Sequence, residues 1–234
     1  MSELLTPQKD SDHKLAAGYA LRISQLPGGS PEIFASIQGE GPSCGRPSVF
    51  LRLAHCNLRC SWCDTKYTWD WQRFDPRKEV RELAIPDIED LLNAHNPDNL
   101  VVTGGEPLLQ QDNLVVLLER QKQRGRRLEI ETNATILPSP AMTGMVDQWN
   151  VSPKLANSGE PASRRLVKAI LAAYRDNPKA FFKLVVQQPG DVSEVEELID
   201  DLDVSPSRVF LLPEATDDAT LHEKNGWLSE ICSK

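Results

Sequence analysis

Three cysteines stand at C-x3-C-x2-C spacing in the run Cys56-Asn57-Leu58-Arg59-Cys60-Ser61-Trp62-Cys63-Asp64-Thr65. Cysteine thiolates ligate iron, and the cubic 4Fe–4S cluster presents four irons. Three thiolates therefore leave one iron open to a small molecule. Trp62 adds a flat aromatic face beside the third thiolate. Other readings of the same residues are weaker. A disulfide framework suits small secreted chains, whereas this one is acidic, has five cysteines in 234 residues and starts with a polar stretch rather than an apolar leader. Structural zinc takes four ligands, usually as two close pairs. His55 adjoins Cys56 too closely to share a metal with it, and Cys44 and Cys232 are distant in sequence. Buried, inert cysteines are the third reading.

Further residues able to meet a ligand lie in separate segments. Gln38-Gly39-Glu40-Gly41-Pro42 is a glycine-punctuated loop in which backbone can approach a ligand closely, although an ordinary tight turn has the same composition. Arg52 sits in the apolar run 48–53, sharing a strand face with Phe50 while Val49, Leu51 and Leu53 share the other. If that face is buried, the guanidinium needs a partner. A carboxylate suits its planar fork, and the alternatives are an internal ion pair or an exposed face. Thr103-Gly104-Gly105-Glu106-Pro107 follows a short apolar strand. Its glycines let a ligand lie against backbone and Glu106 can accept from an ammonium, but a strand-to-helix turn with an N-terminal acid looks the same.

The intervening elements set where these residues would fall. Strands are expected at residues 19–24, 48–53, 100–103, 128–132, 148–151, 181–186 and 208–212. Helices are expected at 86–94, 112–123, 163–174, 193–202 and 217–231, from apolar residues at helical spacing such as Val195, Leu198, Ile199 and Leu202. Ser193 and Glu196 read as a capping box. Residues 66–85, rich in charge and holding Trp69 and Trp71, read as an excursion from the core, a lid. Alternating strands and helices predict a parallel βα sheet, and about six core strands are too few for an eight-fold barrel. The expectation is an α/β fold, a partial, open parallel βα barrel. Ligands of such sheets sit at the carboxyl ends of the strands. The cysteines, Thr103 to Glu106, Thr132-Asn133, Ser152-Pro153-Lys154 and Gln187 all fall there.

Composition limits the partners. A net charge of −8 argues against a nucleic-acid surface, and no apolar run has the length of a membrane span. At 40% hydrophobic and 26% charged residues the chain is of globular type. Residues 1–18 read as a flexible tail and 19–234 as one domain. A reduced-thiol chemistry fits a cytoplasmic location.

The cysteine motif resembles that of the radical S-adenosylmethionine (SAM) enzymes. Together with Ile37-Gln38-Gly39-Glu40-Gly41, Phe50-Leu51-Arg52-Leu53, Cys63-Asp64-Thr65, Val102 to Pro107, Glu131-Thr132-Asn133 and Val151 to Lys154, the chain resembles the 7-carboxy-7-deazaguanine synthase family over residues 32–214. The resemblance implies a radical SAM fold and a ring contraction: 6-carboxy-5,6,7,8-tetrahydropterin is converted to 7-carboxy-7-deazaguanine with loss of ammonia, on the way to queuosine and other 7-deazaguanines. It implies that a 4Fe–4S cluster held by Cys56, Cys60 and Cys63 reductively cleaves SAM to a 5′-deoxyadenosyl radical. It implies that Trp62, Cys63, Asp64, Gly105, Glu106, Ser152, Pro153 and Lys154 contact SAM. Ile37, Gln38, Gly39, Glu40, Arg52 and Thr103 would hold the pterin, and Thr65 would ligate a Mg²⁺ shared with it. An electron donor such as flavodoxin or ferredoxin and a homodimer are further implications. The resemblance also leads us to expect a strand after the last helix that completes the pterin site. The chain ends at Lys234, so those contacts are assigned to no residue. Two rivals remain at this point: another small radical SAM enzyme such as a glycyl-radical activase, and a non-catalytic metal-binding protein of the same fold.

Overall fold

The computed structural model describes residues 18–233, so the expected tail lies outside them except for Gly18. Nine strands form one sheet: β1 (Ala20–Ser24), β2 (Ile33–Ile37), β3 (Pro47–Leu53), β4 (Val80–Ala84), β5 (Asn99–Gly104), β6 (Arg127–Thr132), β7 (Gln148–Val151), β8 (Ala180–Val186) and β9 (Val209–Pro213). Their order is β4-β1-β3-β5-β6-β7-β8-β9, with β2 paired to β3 beside that path. From β3 to β9 each strand runs parallel to the next, which makes the six expected parallel strands. β1, β2 and β4 pair antiparallel. The order ends at β4 and β9, so the barrel is open.

Alternation along the strands makes the two faces of the sheet chemically different. Val49, Leu51 and Leu53 of β3, Leu100 and Val102 of β5, and Leu128 and Ile130 of β6 are buried in one core. They pack there with Ile88 and Leu92 of α1 (Ile85–Asn93), Leu114, Leu117 and Leu118 of α2 (Gln111–Gln123), and Leu171 and Tyr174 of α3 (Lys168–Arg175). A second cluster, with Leu184 and Val186 of β8 at its centre, takes Val195 of α4 (Asp191–Leu202) and Leu228 of α5 (Asp218–Cys232). The other face presents Phe50, Arg52, Thr103, Glu131, Lys183 and Val185 to the inside of the half-barrel. Arg52 is in register with Thr103, Glu131 with Asn150, and Asn150 with Phe181, so one row crosses the inner face.

Three local expectations are corrected. Residues 66–85 are not a lid. Thr68 is fully buried, the Trp71 ring meets His55 edge-on at 5.4 Å, and the segment ends in β4, which pairs with β1 over five residues. The exposed charges of β4 hid this edge strand from a hydrophobicity reading. The helix expected at 163–174 breaks at Leu166–Val167 into Ala162–Arg165 and α3. Arg165 donates to the carbonyls of Lys154 and Glu160 and to Glu194, and so ties the first turn to the loop after β7. The capping box is absent, because α4 starts two residues before Ser193. Asp191 instead accepts from the amides of Gln187 (2.7 Å) and Gln188 (3.3 Å) and from Asn157 (2.7 Å). Among the described residues no helix is long and apolar enough to cross a membrane.

Candidate active site

Cys56, Cys60 and Cys63 open on a cavity of 460 Å³ at the carboxyl ends of the parallel strands. Their loop is shaped by backbone rather than by sulfur. His55 takes a left-handed φ of 72°, the Ser61 amide donates to the Ser158 carbonyl at 2.9 Å, and the Arg59 amide donates to Glu160 at 2.5 Å. Cys56 Sγ accepts from the Leu58 amide at 3.4 Å, and Cys63 Sγ from Trp69 Nε1 at 3.3 Å. Burial pushes the Cys56 thiol up to about 12 and raises the Cys60 thiol too. Thiols in such surroundings become thiolates only when a metal replaces the proton.

This donor set fits an iron–sulfur cubane better than a single ion. Among the described residues no three Cys, His, Asp or Glu side chains converge on one point, as a tetrahedral zinc would require. A cubane takes one thiolate per iron, so its ligands stand apart. The amide and indole donors to Cys56 and Cys63 suit cluster-bound sulfur.

Gly104 and Gly105 line the cavity, but the sequence-based reason for them is incomplete. What presses on them is the chain itself. A Cβ on Gly104, whose φ is +131°, would lie 2.0 Å from the Leu53 carbonyl oxygen, and one on Gly105 2.0 Å from that of His55. The end of β5 thus lies backbone-to-backbone against the exit of β3, which leads into the cysteine loop. Their amides complete the join: Gly105 donates to Leu53 at 3.0 Å and Glu106 to His55 at 2.8 Å.

Glu106 is the main correction among the expected ligand contacts. It is fully buried, lies outside the cavity lining and accepts from the Leu108 amide (3.0 Å), Thr132 Oγ1 (2.9 Å) and the Asn133 amide (2.7 Å). Burial raises its carboxyl, with the two amides acting against that. It fastens the end of β5 to that of β6. Ile37 is likewise outside the lining, its side chain turned to solvent. Pro153 is buried behind the wall. Gln187 stays outside it, its amide held by Asp191.

The remaining expected residues, Gln38, Gly39, Glu40, Arg52, Trp62, Asp64, Thr65, Thr103, Ser152 and Lys154, all line the cavity. Trp62 donates to Asn157 at 3.1 Å, and Lys154 Nζ lies 5.3 Å above the Trp62 ring. Thr65 Oγ1 is 3.6 Å from Cys63 Sγ. Arg52 Nε donates to the buried Glu32 at 2.7 Å, and the Tyr67 hydroxyl donates to the same carboxylate. The internal ion pair considered from the sequence is therefore real. It uses one nitrogen of the fork, and among the described residues neither terminal nitrogen of Arg52 makes a hydrogen bond.

Sequence reasoning did not assign Glu131, Lys183 or the segment 212–216 to the site, yet all line it. Lys183 on β8 donates to Glu40 at 2.6 Å and to Glu131 at 3.2 Å. Glu131 also accepts from Thr103 (2.8 Å) and Gln38 (3.2 Å). Burial alone would raise the Glu131 carboxyl, but the Lys183 ammonium and these hydrogen bonds hold it below the usual range. Burial would lower Lys183, and its two carboxylates hold it above its ordinary value instead. The signal was available: a lysine on the inward face of Ala180-Phe181-Phe182-Lys183-Leu184-Val185-Val186 is the same anomaly as Arg52 in β3.

Comparison with known proteins agrees with this geometry. The Radical SAM superfamily model matches residues 52–152, which hold the cysteine loop and the Gly104–Gly105 turn. The chain is 41% identical over 185 residues to the 7-carboxy-7-deazaguanine synthase of Pyrobaculum aerophilum, covering 79% of this chain and 78% of that one. It is 39% identical over 186 residues to the enzyme of the same name from Hyperthermus butylicus, covering 78% and 75%. A crystal structure of QueE from Escherichia coli matches 94% of this chain and 95% of that chain with a TM-score of 0.66 at 23% identity, a likeness of fold.

Proposed function

The chain belongs to the 7-carboxy-7-deazaguanine synthase family, of the radical SAM superfamily, and from that premise we propose that it converts 6-carboxy-5,6,7,8-tetrahydropterin to 7-carboxy-7-deazaguanine with loss of ammonia, in queuosine biosynthesis. The observation that carries the reading is the meeting, in one cavity, of three unpaired cysteines with a guanidinium and two carboxylates, Glu40 and Glu131, from other segments. A glycyl-radical activase, acting on a protein, would have no use for that inner polar row.

Cys56, Cys60 and Cys63 would hold a 4Fe–4S cluster. With SAM bound there, such a cluster would supply the one electron that cleaves SAM to methionine and a 5′-deoxyadenosyl radical able to take a hydrogen from the substrate. The chain's residues do the rest. Of the lining residues, Trp62, Asp64, Gly105, Ser152 and Lys154 suit SAM, and Gln38, Gly39, Glu40, Arg52 and Thr103 suit the pterin. Thr65, 3.6 Å from the Cys63 sulfur, offers an oxygen to a Mg²⁺ completed by ligand oxygens. A one-electron donor such as flavodoxin or ferredoxin and a homodimeric assembly belong to the same proposal.

The test is anaerobic turnover. Reconstituted protein with dithionite, SAM, Mg²⁺ and 6-carboxytetrahydropterin should give 7-carboxy-7-deazaguanine by mass spectrometry. 5′-Deoxyadenosine without product would remove the substrate assignment. Neither product from a loaded cluster would favour the non-catalytic reading.

Arg52→Lys provides a second check. Its Nε keeps Glu32 in place while its terminal nitrogens are free for a carboxylate, a geometry that lysine cannot reproduce. Losing a charged hydrogen bond of about 1.5–3 kcal/mol should raise KM for the carboxypterin about 10- to 100-fold. Cluster content and SAM affinity should not change. A substrate lacking the carboxylate should show no difference between the two proteins.

A further inference from the structure

We propose that Lys183 is a positioning residue for the substrate, setting the carboxylates of Glu40 and Glu131 against the cavity so that the pterin ring meets two fixed acceptors. The inference rests on the function proposed above and concerns a residue on β8, remote in sequence from the cysteine loop and from the Gln38–Glu40 loop.

The side chain of Lys183 is 5% exposed, and its ammonium lies between two acids that come from different parts of the fold. Glu131 is on β6; Glu40 follows β2 and is half exposed. Without the ammonium these two carboxylates would repel each other, and burial would favour protonation of Glu131. With it, Glu131 stays ionised, and each carboxylate keeps lone pairs for a ligand. Gln38 extends the arrangement, donating to Glu131 at 3.2 Å and to Glu129 at 3.0 Å, with its own carbonyl oxygen accepting from the Glu40 amide at 3.2 Å. One cation thereby fixes the Gln38–Glu40 loop as well as strand β6, both of which line the cavity.

The opposite ends of the row match the opposite ends of the substrate. Arg52 on β3 and Glu131 on β6 are two strands apart, about 10 Å at the usual strand spacing. A carboxypterin has an anionic carboxylate at one end and a 2-aminopyrimidinone edge rich in N–H donors at the other. A guanidinium facing the first and a carboxylate facing the second would orient the ring in one direction only. Lys183 keeps the second end in its acceptor form. It need not touch the substrate to do so.

The experiment compares wild type, K183M and K183R in the turnover assay, together with calorimetric titration of the carboxypterin. K183M should raise KM at least tenfold with SAM binding unchanged, and 5′-deoxyadenosine should form in excess over product. The acid limb of kcat/KM should move up by about one pH unit or more, because Glu131 would then protonate at higher pH. The other charged groups facing this site are Glu40, Arg52, Asp64, Lys154 and Glu214 in the lining, Glu129 behind Gln38 and Arg127 against Glu129; of these K183M frees only Glu40, which loses its ion pair. K183R should recover part of the loss. A K183M protein with wild-type KM, coupling and acid limb would overturn the proposal.

If K183M does not fold, because Glu131 is left buried without its cation, K183M/E131Q removes both charges. Action through the two carboxylates predicts that E131Q raises KM at least tenfold and that the double variant, which also frees Glu40, is no better than E131Q. A wild-type KM in E131Q or in the double variant would equally overturn it. Failure of the wild type to bind or turn over the carboxypterin would remove the functional reading and this inference together. Wild-type turnover with an indifferent K183M removes only the inference.

Discussion

Gly105→Ala should give a protein that fails to hold its native fold, with stability lowered by about 4 kcal/mol or more. An added Cβ would lie 2.0 Å from the His55 carbonyl oxygen and 2.5 Å from its carbon, against a tolerable contact of 3.4 Å. No side-chain rotation relieves this, because the obstacle is backbone. That carbonyl already accepts the Glu106 amide, and the His55 amide is bound to Thr68 at 2.7 Å, so the segment is held from both sides. Relief requires the end of β5 to part from the exit of β3, which moves Cys56. Gly144→Ala is the control: its Cβ would meet nothing within 4 Å, and stability should change by less than about 0.5 kcal/mol. Thermal unfolding of the two variants, with iron content where soluble protein is obtained, checks the expectation. A Gly105→Ala protein with near wild-type stability would mean that the β3–β5 join is looser than the structure shows.

What the sequence revealed and what it hid follow from the range of the interactions involved. The six parallel strands were legible because their outer faces bury apolar residues at period two, as in Val49, Leu51 and Leu53. The cysteine loop was legible because its chemistry is local, three ligands within eight residues. Two kinds of feature were not. β4 is an edge strand, stabilised by backbone pairing to β1 with exposed charges between, and nothing in its own pattern points to a sheet. Glu106 has the composition of an exposed strand-end acid. Two of its partners, Thr132 and Asn133, are separated from it by a whole βα unit, and their two hydrogen bonds fasten it to the end of β6. Lys183, Glu131 and Glu40 belong to the same class: 52 and 143 residues separate the lysine from its two partners. Arg52 was noticed because it stands four residues before a cysteine, whereas Lys183 stands beside nothing conspicuous.

Cys60→Ala should abolish cluster binding and turnover while leaving the fold intact. Cys60 is the middle cysteine and is nearly buried, and burial raises its thiol, so without iron it is an uncharged, inert side chain. The loop around it is held without sulfur: the amides of Arg59, Ser61 and Cys63 are bound to Glu160, Ser158 and the Cys60 carbonyl. Circular dichroism and melting temperature should therefore match the wild type to within a few degrees. Two remaining thiolates cannot hold a cubane that needs three, so iron and sulfide should fall to background and the visible absorption of the cluster should vanish. Product and 5′-deoxyadenosine should drop together, by about a thousandfold or more, because the ligands act as a unit. Cys232→Ala, on the exposed end of α5, should keep full iron content. This pair of variants separates a cluster from structural cysteines. Had the three thiols been packing residues, Cys60→Ala would lower stability by the small amount due to a lost buried sulfur and leave iron content unchanged. Iron retained in Cys60→Ala at wild-type stoichiometry would overturn the ligand assignment, and with it the premise that the cavity is built around a radical-generating centre.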